Sequence, residues 1–105
     1  MKEYINVWIK DPGLAPRHAK IKNDLKELQQ IVGGYIEVVT LTTGGKKFLL
    51  IINEEGKING LEPNFRMYGD LVVGPAIFAG ENLEEFDDCP IETEEELLSI
   101  LKEVR

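Results

Sequence analysis

The alternation of apolar and polar positions predicts a chain built mainly of β-strands. Residues 4–10 and 35–42 alternate with a period of two and are rich in β-branched and aromatic side chains, as is typical of strands. The turn signal Gly44-Gly45 joins the second of these to residues 47–52, and the apolar run 48–52 within them predicts a hairpin whose return strand is buried on both faces. Residues 71–79 predict a last strand, and the proline within it favours an edge position or a bulge.

Helical spacing of apolar residues predicts two helices. The first follows Asn23, whose side chain is expected to cap it, and ends at Gly33-Gly34, because glycine adopts the left-handed conformation without a Cβ clash. The second covers residues 93–104 and opens at Thr93, with Glu96 as its capping-box partner.

The order of these elements predicts a small α+β fold. Strand, helix, strand, strand, irregular segment, strand and helix follow one another along 105 residues, a length typical of one domain. We expect a single domain over residues 1–105, with a mostly antiparallel sheet of four or five strands and both helices packed on one face. Lys102 and Arg105 are expected at the negative end of the second helix dipole.

Charge and composition exclude several classes of protein. Nineteen acidic residues against twelve basic ones give a net charge of −7, which disfavours general nucleic-acid binding. No apolar run is long enough for a membrane helix and the first residues lack the layout of a secretory signal, so a cytoplasmic protein is expected. One cysteine permits neither an intramolecular disulfide nor a cysteine zinc site, and no cofactor is implied.

A short basic segment between the first strand and the first helix is a candidate anion site. Arg17, His18 and Lys20 follow Pro16 in an otherwise acidic chain. An arginine there could grip a phosphate or carboxylate with two parallel hydrogen bonds. The alternative is a solvated loop without a ligand.

The irregular stretch from Asn59 to Asp70 is a candidate binding loop. It holds an unusual concentration of amide, aromatic and charged side chains, namely Asn64, Phe65, Arg66, Tyr68 and Asp70. Such side chains read polar edges, hold anions and stack on planar rings. Alternatively, the two aromatic residues plug the end of the sheet.

Neither the paired acids nor the cysteine predicts a catalytic set. Glu54-Glu55 is expected to form a turn, and Asp87-Asp88 lies in an acidic connector, residues 80–90, where it is expected to be solvated. Cys89 has no basic neighbour in the sequence to lower its pKa, which favours a structural thiol.

Two motifs together resemble a family of small proteins of unknown function from phages, mobile elements and Firmicutes. They are VGGYIE at residues 32–37 and NEEGK at residues 53–57. The resemblance covers residues 23–79. Within this range it is also carried by Leu61, Pro63-Asn64, Gly69-Asp70 and Gly74. It implies an origin and a fold rather than a chemical activity, and it favours a phage or mobile-element setting.

These observations favour a non-catalytic binding protein that sequesters a nucleotide-derived immune signal. Cations would neutralise its phosphates, aromatic rings would stack on its base, and asparagines would read its polar edges. The candidate ligand-binding residues are Trp8, Arg17, His18, Asn53, Lys57, Asn64, Phe65, Arg66, Tyr68 and Asp70. Homo-oligomerisation is expected, because subunit interfaces would give so small a domain more concave surface. An acidic inhibitor or DNA mimic that covers a host protein is the alternative, and an enzyme is the third class.

Overall fold

Two antiparallel sheets and two helices make up residues 2–104, which the computed structural model describes. In chain order the elements are β1 (Tyr4–Lys10), β2 (Arg17–Lys22), α1 (Leu25–Val32), β3 (Ile36–Thr43), β4 (Lys46–Asn53), β5 (Pro63–Met67), β6 (Asp70–Val73), β7 (Ala76–Asn82), β8 (Glu85–Asp87), α2 (Glu94–Ile100) and β9 (Lys102–Glu103). The main sheet has the order β2-β1-β7-β4-β3, with β8 paired to β7, and the small sheet has the order β6-β5-β9. No helix among residues 2–104 is long and apolar enough to cross a membrane.

The α+β class and the mostly antiparallel sheet are confirmed, whereas the strand number and the helix placement differ from the prediction. The main sheet has six strands. Its two faces form separate hydrophobic clusters: Leu28 of α1 packs with Val7 on one face, and Leu97 of α2 packs with Trp8 on the other. The expectation that both helices share one face is therefore wrong. Both faces need a cover because the central strands carry consecutive apolar residues.

Helix α1 has the expected C-terminal end but a different N-cap. Asp24, rather than Asn23, accepts a hydrogen bond from the Glu27 N–H at 2.8 Å. The amide of Asn23 instead donates to the backbone carbonyl of Lys2. At the other end Gly33 has φ of 82°, the left-handed conformation expected of a glycine after a helix.

Helix α2 is shorter than predicted. Thr93 caps it as expected, accepting from the Glu96 N–H, but the Glu96 carboxylate accepts from Glu92 N–H instead of closing a capping box with Thr93. The helix ends at Ile100, and Lys102 lies on β9, which pairs with β5. The expectation that Lys102 faces the helix dipole is wrong for this reason, and Arg105 lies outside the described residues.

The basic segment predicted as a loop is the edge strand β2. All six of its residues pair antiparallel with β1, and Ile21 is buried in the α1-side cluster. A strand with basic residues at most of its positions lacks the apolar alternation by which strands are recognised. Its pairing partner, rather than its own pattern, determines its conformation.

Half of the stretch predicted as irregular, residues 63–67 and 70 of residues 59–70, also forms strands. Residues 63–73 form the β5–β6 hairpin of the small sheet, and β6 and β7 belong to different sheets. Gly74, at φ of 74°, lies where the chain crosses between them, with Leu61 in the space that a Cβ would occupy. Pro75 therefore marks a change of sheet, and the predicted edge position or bulge within one strand is wrong.

The acidic connector is structured. Strand β7 continues to Asn82, and β8 folds back to pair with it. Asp88 accepts from the Asn6 N–H at 2.8 Å and from the Lys2 ammonium at 2.8 Å, and Asp87 pairs with the same ammonium. These two acids tie the end of the connector to β1, so the expectation that they are simply solvated is wrong.

Candidate functional site

A cleft of about 250 Å³ lies between the two sheets, where β3 and β4 face β6. Its apolar lining comes from both sheets and consists mainly of Val39, Leu41, Leu50, Ile52 and Val72. These residues were predicted to lie in strands, but not in a site. Only tertiary packing brings them opposite one another, so no local signal in the sequence indicates the cleft.

Tyr68 lies at the rim of this cleft in an unusual backbone conformation. Met67 and Asp70 are register partners, so Tyr68 and Gly69 form a two-residue hairpin loop with φ of 51° and 81°. Such loops favour Asn, Asp or Gly, because other residues pay for the left-handed conformation. The Tyr68 side chain is 64% exposed, and its hydroxyl donates to the Thr42 carbonyl at 3.2 Å. The loop therefore holds an aromatic ring beside the apolar lining.

The rim of the cleft carries more negative than positive charge. Glu37 of β3, Glu54 of the turn after β4 and Asp70 of β6 line it, together with Lys57. Ionised carboxylates accept hydrogen bonds, and an ammonium donates them. The rim can therefore meet a ligand that presents several N–H donors and one anionic group.

Asn53 borders the cleft but uses its side-chain amide within the protein. Its Nδ2 donates to the Val32 carbonyl at 3.2 Å, and its Oδ1 accepts from the Glu55 N–H at 2.8 Å. A Cβ on Gly34 would lie 2.9 Å from Asn53 Nδ2, so the glycine makes room for this amide. The VGGYIE and NEEGK motifs are thus in direct contact and form the end of the cleft.

The first three candidate residues along the chain lie away from the cleft. Trp8 is buried, donates from Nε1 to the Ile91 carbonyl at 2.9 Å, and contacts the His18 ring edge-to-face at 5.0 Å between centroids. Arg17 is exposed and lies 3.7 Å from the Asp11 carboxylate. The structure brings Trp8 and His18 together, but it does not bring them to Tyr68 or Lys57.

Three further candidates belong to the small sheet without lining the cleft. Phe65 is fully buried and packs on Phe78 at 5.7 Å between ring centroids, which makes it a core residue. Asn64 is buried and donates to the carbonyls of Lys10 and Gly74. Arg66 is exposed beside α2. Of the ten candidates, Asn53, Lys57, Tyr68 and Asp70 line the cleft.

The cysteine does not supply a reactive group at neutral pH. Burial raises the pKa of the Cys89 thiol to about 11, so it remains protonated. Among the described residues, no cluster of three or more His, Cys, Asp or Glu side chains could hold a metal ion.

A family described as "Domain of unknown function (DUF3846)" matches residues 5–102. The chain belongs to this family. The DUF3846 match includes β1 and α2, so it extends well beyond the residues 23–79 over which the two motifs indicated a resemblance. No curated protein and no solved structure matches the chain.

Proposed function

We propose that this chain is a non-catalytic binding protein that holds the base of a small nucleotide-like ligand in the cleft. Tyr68 carries the proposal, because an exposed aromatic ring is held beside the apolar lining of the cleft by a backbone conformation that tyrosine rarely adopts. Such conformations cost free energy and cluster at ligand sites. Stacking of a base on an aromatic side chain contributes about 1–3 kcal/mol.

The size and charge of the cleft define which part of the ligand it takes. Its volume of about 250 Å³ lies just below the roughly 300 Å³ at which small-molecule sites begin, which fits one ring system rather than a whole dinucleotide. The carboxylates of Glu37, Glu54 and Asp70 suit the N–H donors of a base edge. Among the described lining residues Lys57 is the only cation, so it can meet one phosphate while the rest of the ligand lies in solvent.

The side chains available in the cleft support binding without turnover. Its described lining contains no serine, cysteine or histidine that could act as a nucleophile with an adjacent base. The biological role we propose is sequestration of a nucleotide-derived immune signal in the cytoplasm of a host of phages or mobile elements. The acidic inhibitor or DNA mimic has less support, because Lys2 engages Asp87 and Asp88, and Lys47 pairs with Glu81.

Isothermal titration against nucleosides, mononucleotides, cyclic dinucleotides and ADP-ribose tests the proposal. We expect at least one base-bearing ligand to saturate, with the nucleoside binding almost as tightly as its polyphosphate, because the rim repels additional negative charge. Tyr68→Ala should weaken binding by about tenfold or more through loss of stacking. Arg66→Met is the matched control, since Arg66 is exposed on the same hairpin but outside the cleft.

Three results would contradict the proposal. If no ligand in the panel saturates the protein, nucleotide-like ligands are excluded. Equal loss of affinity in Tyr68→Ala and Arg66→Met removes the cleft as the site. Conversion of a bound ligand to product, measured by mass spectrometry after incubation, removes the non-catalytic role.

A further inference from the structure

The two edges of the main sheet are built differently. Edge strand β2 carries Arg17, Lys20 and Lys22, and such charges prevent unwanted pairing of an open edge. Edge strand β3 is longer, and Glu37 is the only charged residue in its sequence IEVVTLTT. It contains neither proline nor lysine, while Val38 on it is 42% exposed. One edge of the sheet is protected against pairing, and the other has the composition of a strand that pairs.

The hydrogen bonds of β3 show which of its backbone groups are open. The Glu54 N–H donates to the Tyr35 carbonyl at 2.8 Å, and the two residues are opposite each other in the β3–β4 register. Backbone groups alternate in direction along a strand. Those of residues 37, 39 and 41 therefore point to β4, whereas those of residues 36, 38, 40 and 42 point to the open edge. In the described chain β3 pairs only with β4, apart from the bond of Tyr68 to the Thr42 carbonyl.

We propose that β3 pairs antiparallel with β3 of a second copy of this chain, forming a two-fold symmetric dimer with one continuous sheet. The two-fold axis passes beside Val39. Val38 then exchanges hydrogen bonds with Thr40 of the partner subunit, and the Ile36 carbonyl accepts from the N–H of Thr42 of the partner subunit, whose own carbonyl keeps its bond from Tyr68. This register keeps outward-pointing groups opposite one another, as an antiparallel pair requires.

The side-chain pattern of β3 allows a second copy to occupy this edge without opposing like charges. In the register centred on Val39, Glu37 lies opposite Leu41 of the partner subunit, so the only charged residue of β3 meets no like charge. The remaining positions are β-branched or leucine, which stabilise cross-strand pairs. The strand is therefore complementary to itself without any change in sequence.

The same pairing would extend the cleft. Val39 and Leu41 project into the cleft from β3. Pairing at Val39 places the apolar lining of one cleft beside that of the other, so each subunit contributes residues to one larger concave surface. The dimer itself does not depend on any ligand, and its test is independent of the proposed function.

Sedimentation equilibrium of the purified chain, from about 1 to about 100 μM, measures the dimer directly. We expect a monomer–dimer equilibrium in the wild type. Thr40→Pro removes an outward N–H that β4 does not use, so it should raise the dimer Kd by about tenfold or more without loss of the fold. Lys20→Pro is the matched control. Residue 20 also has an outward N–H, because the Asn23 N–H bonds to the Glu3 carbonyl three pairs beyond it, an odd number, and this variant should dimerise like wild type.

A second variant tests the same dimer without introducing a proline that could disturb the fold. Val38→Lys replaces an exposed side chain, retains the backbone donor and places a cation near the cation of the other copy, so it should also yield monomers. Circular dichroism checks that each variant is folded. A wild type that stays monomeric over the whole range, or a Thr40→Pro variant that is folded and still dimeric, would overturn the proposal. In the first case an extended segment of a different protein is the remaining occupant.

Discussion

Gly34 and Asn53 show how one absent side chain links two distant parts of the sequence. The Asn53 amide fills the space beside Gly34 and donates to the last carbonyl of helix α1. Its Oδ1 simultaneously fixes the turn after β4 by accepting from Glu55 N–H. One buried amide therefore holds the helix end, the hairpin end and the wall of the cleft in a fixed arrangement.

Gly34→Ala should destabilise the protein by about 1–3 kcal/mol, because the new methyl group would lie 2.9 Å from Asn53 Nδ2 and displace it from the Val32 carbonyl. Urea unfolding of Gly34→Ala, Asn53→Ala and the double variant measures this effect. The alanine at position 34 should cost much less once Asn53 is gone, so the two effects should fall short of additivity. Fully additive effects would show that the clash with Asn53 is not the cause.

Residue-scale features were predictable where the chemistry is local. The Gly33 helix end, the Gly44-Gly45 turn and the Thr93 cap each depend on neighbouring residues, and the structure contains all three. The choice of Asp24 over Asn23 as the cap was not predictable. Both side chains can cap a helix, and Asn23 is engaged by the Lys2 carbonyl, which is distant in sequence.

At the scale of elements, a buried polar network joins the two sheets. The Lys10 ammonium of β1 is almost completely buried and donates to Asn64 Oδ1 of β5 at 3.0 Å. It also forms an ion pair with the Glu103 carboxylate of β9, at 3.3 Å between Nζ and Oε1. Asn64 in turn donates to the Lys10 carbonyl at 2.7 Å and to the Gly74 carbonyl at 2.8 Å. Every polar atom of the Asn64 side chain therefore bridges the small sheet to its surroundings.

Asn64→Leu should destabilise the protein by about 3–5 kcal/mol, because it leaves two carbonyls and a buried ammonium without this partner. The shift of the urea midpoint measures the loss. Asn59→Leu, at an exposed position in the same part of the chain, should change stability by less than about 0.5 kcal/mol. Similar midpoints for the two variants would contradict a role for the network in joining the sheets.

Elements stabilised mainly by partners were missed in the sequence. The hairpin β3–β4 was predictable because its strands and turn carry their own signals. Strand β2 and the two-residue strand β9 carry none, and each forms by pairing with a neighbour. The cleft was only partly predictable for the same reason. Lys57, Tyr68 and Asp70 stood out by residue type, while its apolar lining resembled any other strand.

At the scale of the whole molecule, electrostatic contacts connect the beginning and end of the main sheet. Lys2 holds Asp87 and Asp88, and Asp88 also accepts from the Asn6 N–H. These contacts lower the pKa of both carboxyl groups below the ordinary value of 3.8, with the Lys2 hydrogen bond as the main cause. Stability from these groups is present above pH 3.8 and is lost as the pH falls through their lower folded-state pKa values, since the unfolded chain binds protons first.

The free energy of unfolding should therefore fall as the pH decreases below 3.8, and Asp88→Asn should make this dependence shallower. Urea unfolding at a series of acidic pH values measures the slope for both proteins. Lys2→Met should flatten the dependence in the same range, because it removes the main cause of both pKa shifts. An unchanged slope in both variants would show that these acids do not contribute to acid sensitivity.

The central position of β7 determines when the molecule can become a single folded unit. This strand comes from the last third of the chain, yet it lies between β1 and β4. Until it is synthesised, the β1–β2 and β3–β4 hairpins have no shared hydrogen-bonded neighbour and must remain separate pieces. Because its pairings span long stretches of sequence, we expect folding to be slow relative to hairpin formation. Before β7 pairs, the edges of β1 and β4 that it will contact are open. The partly folded chain is most prone to aggregation at that stage.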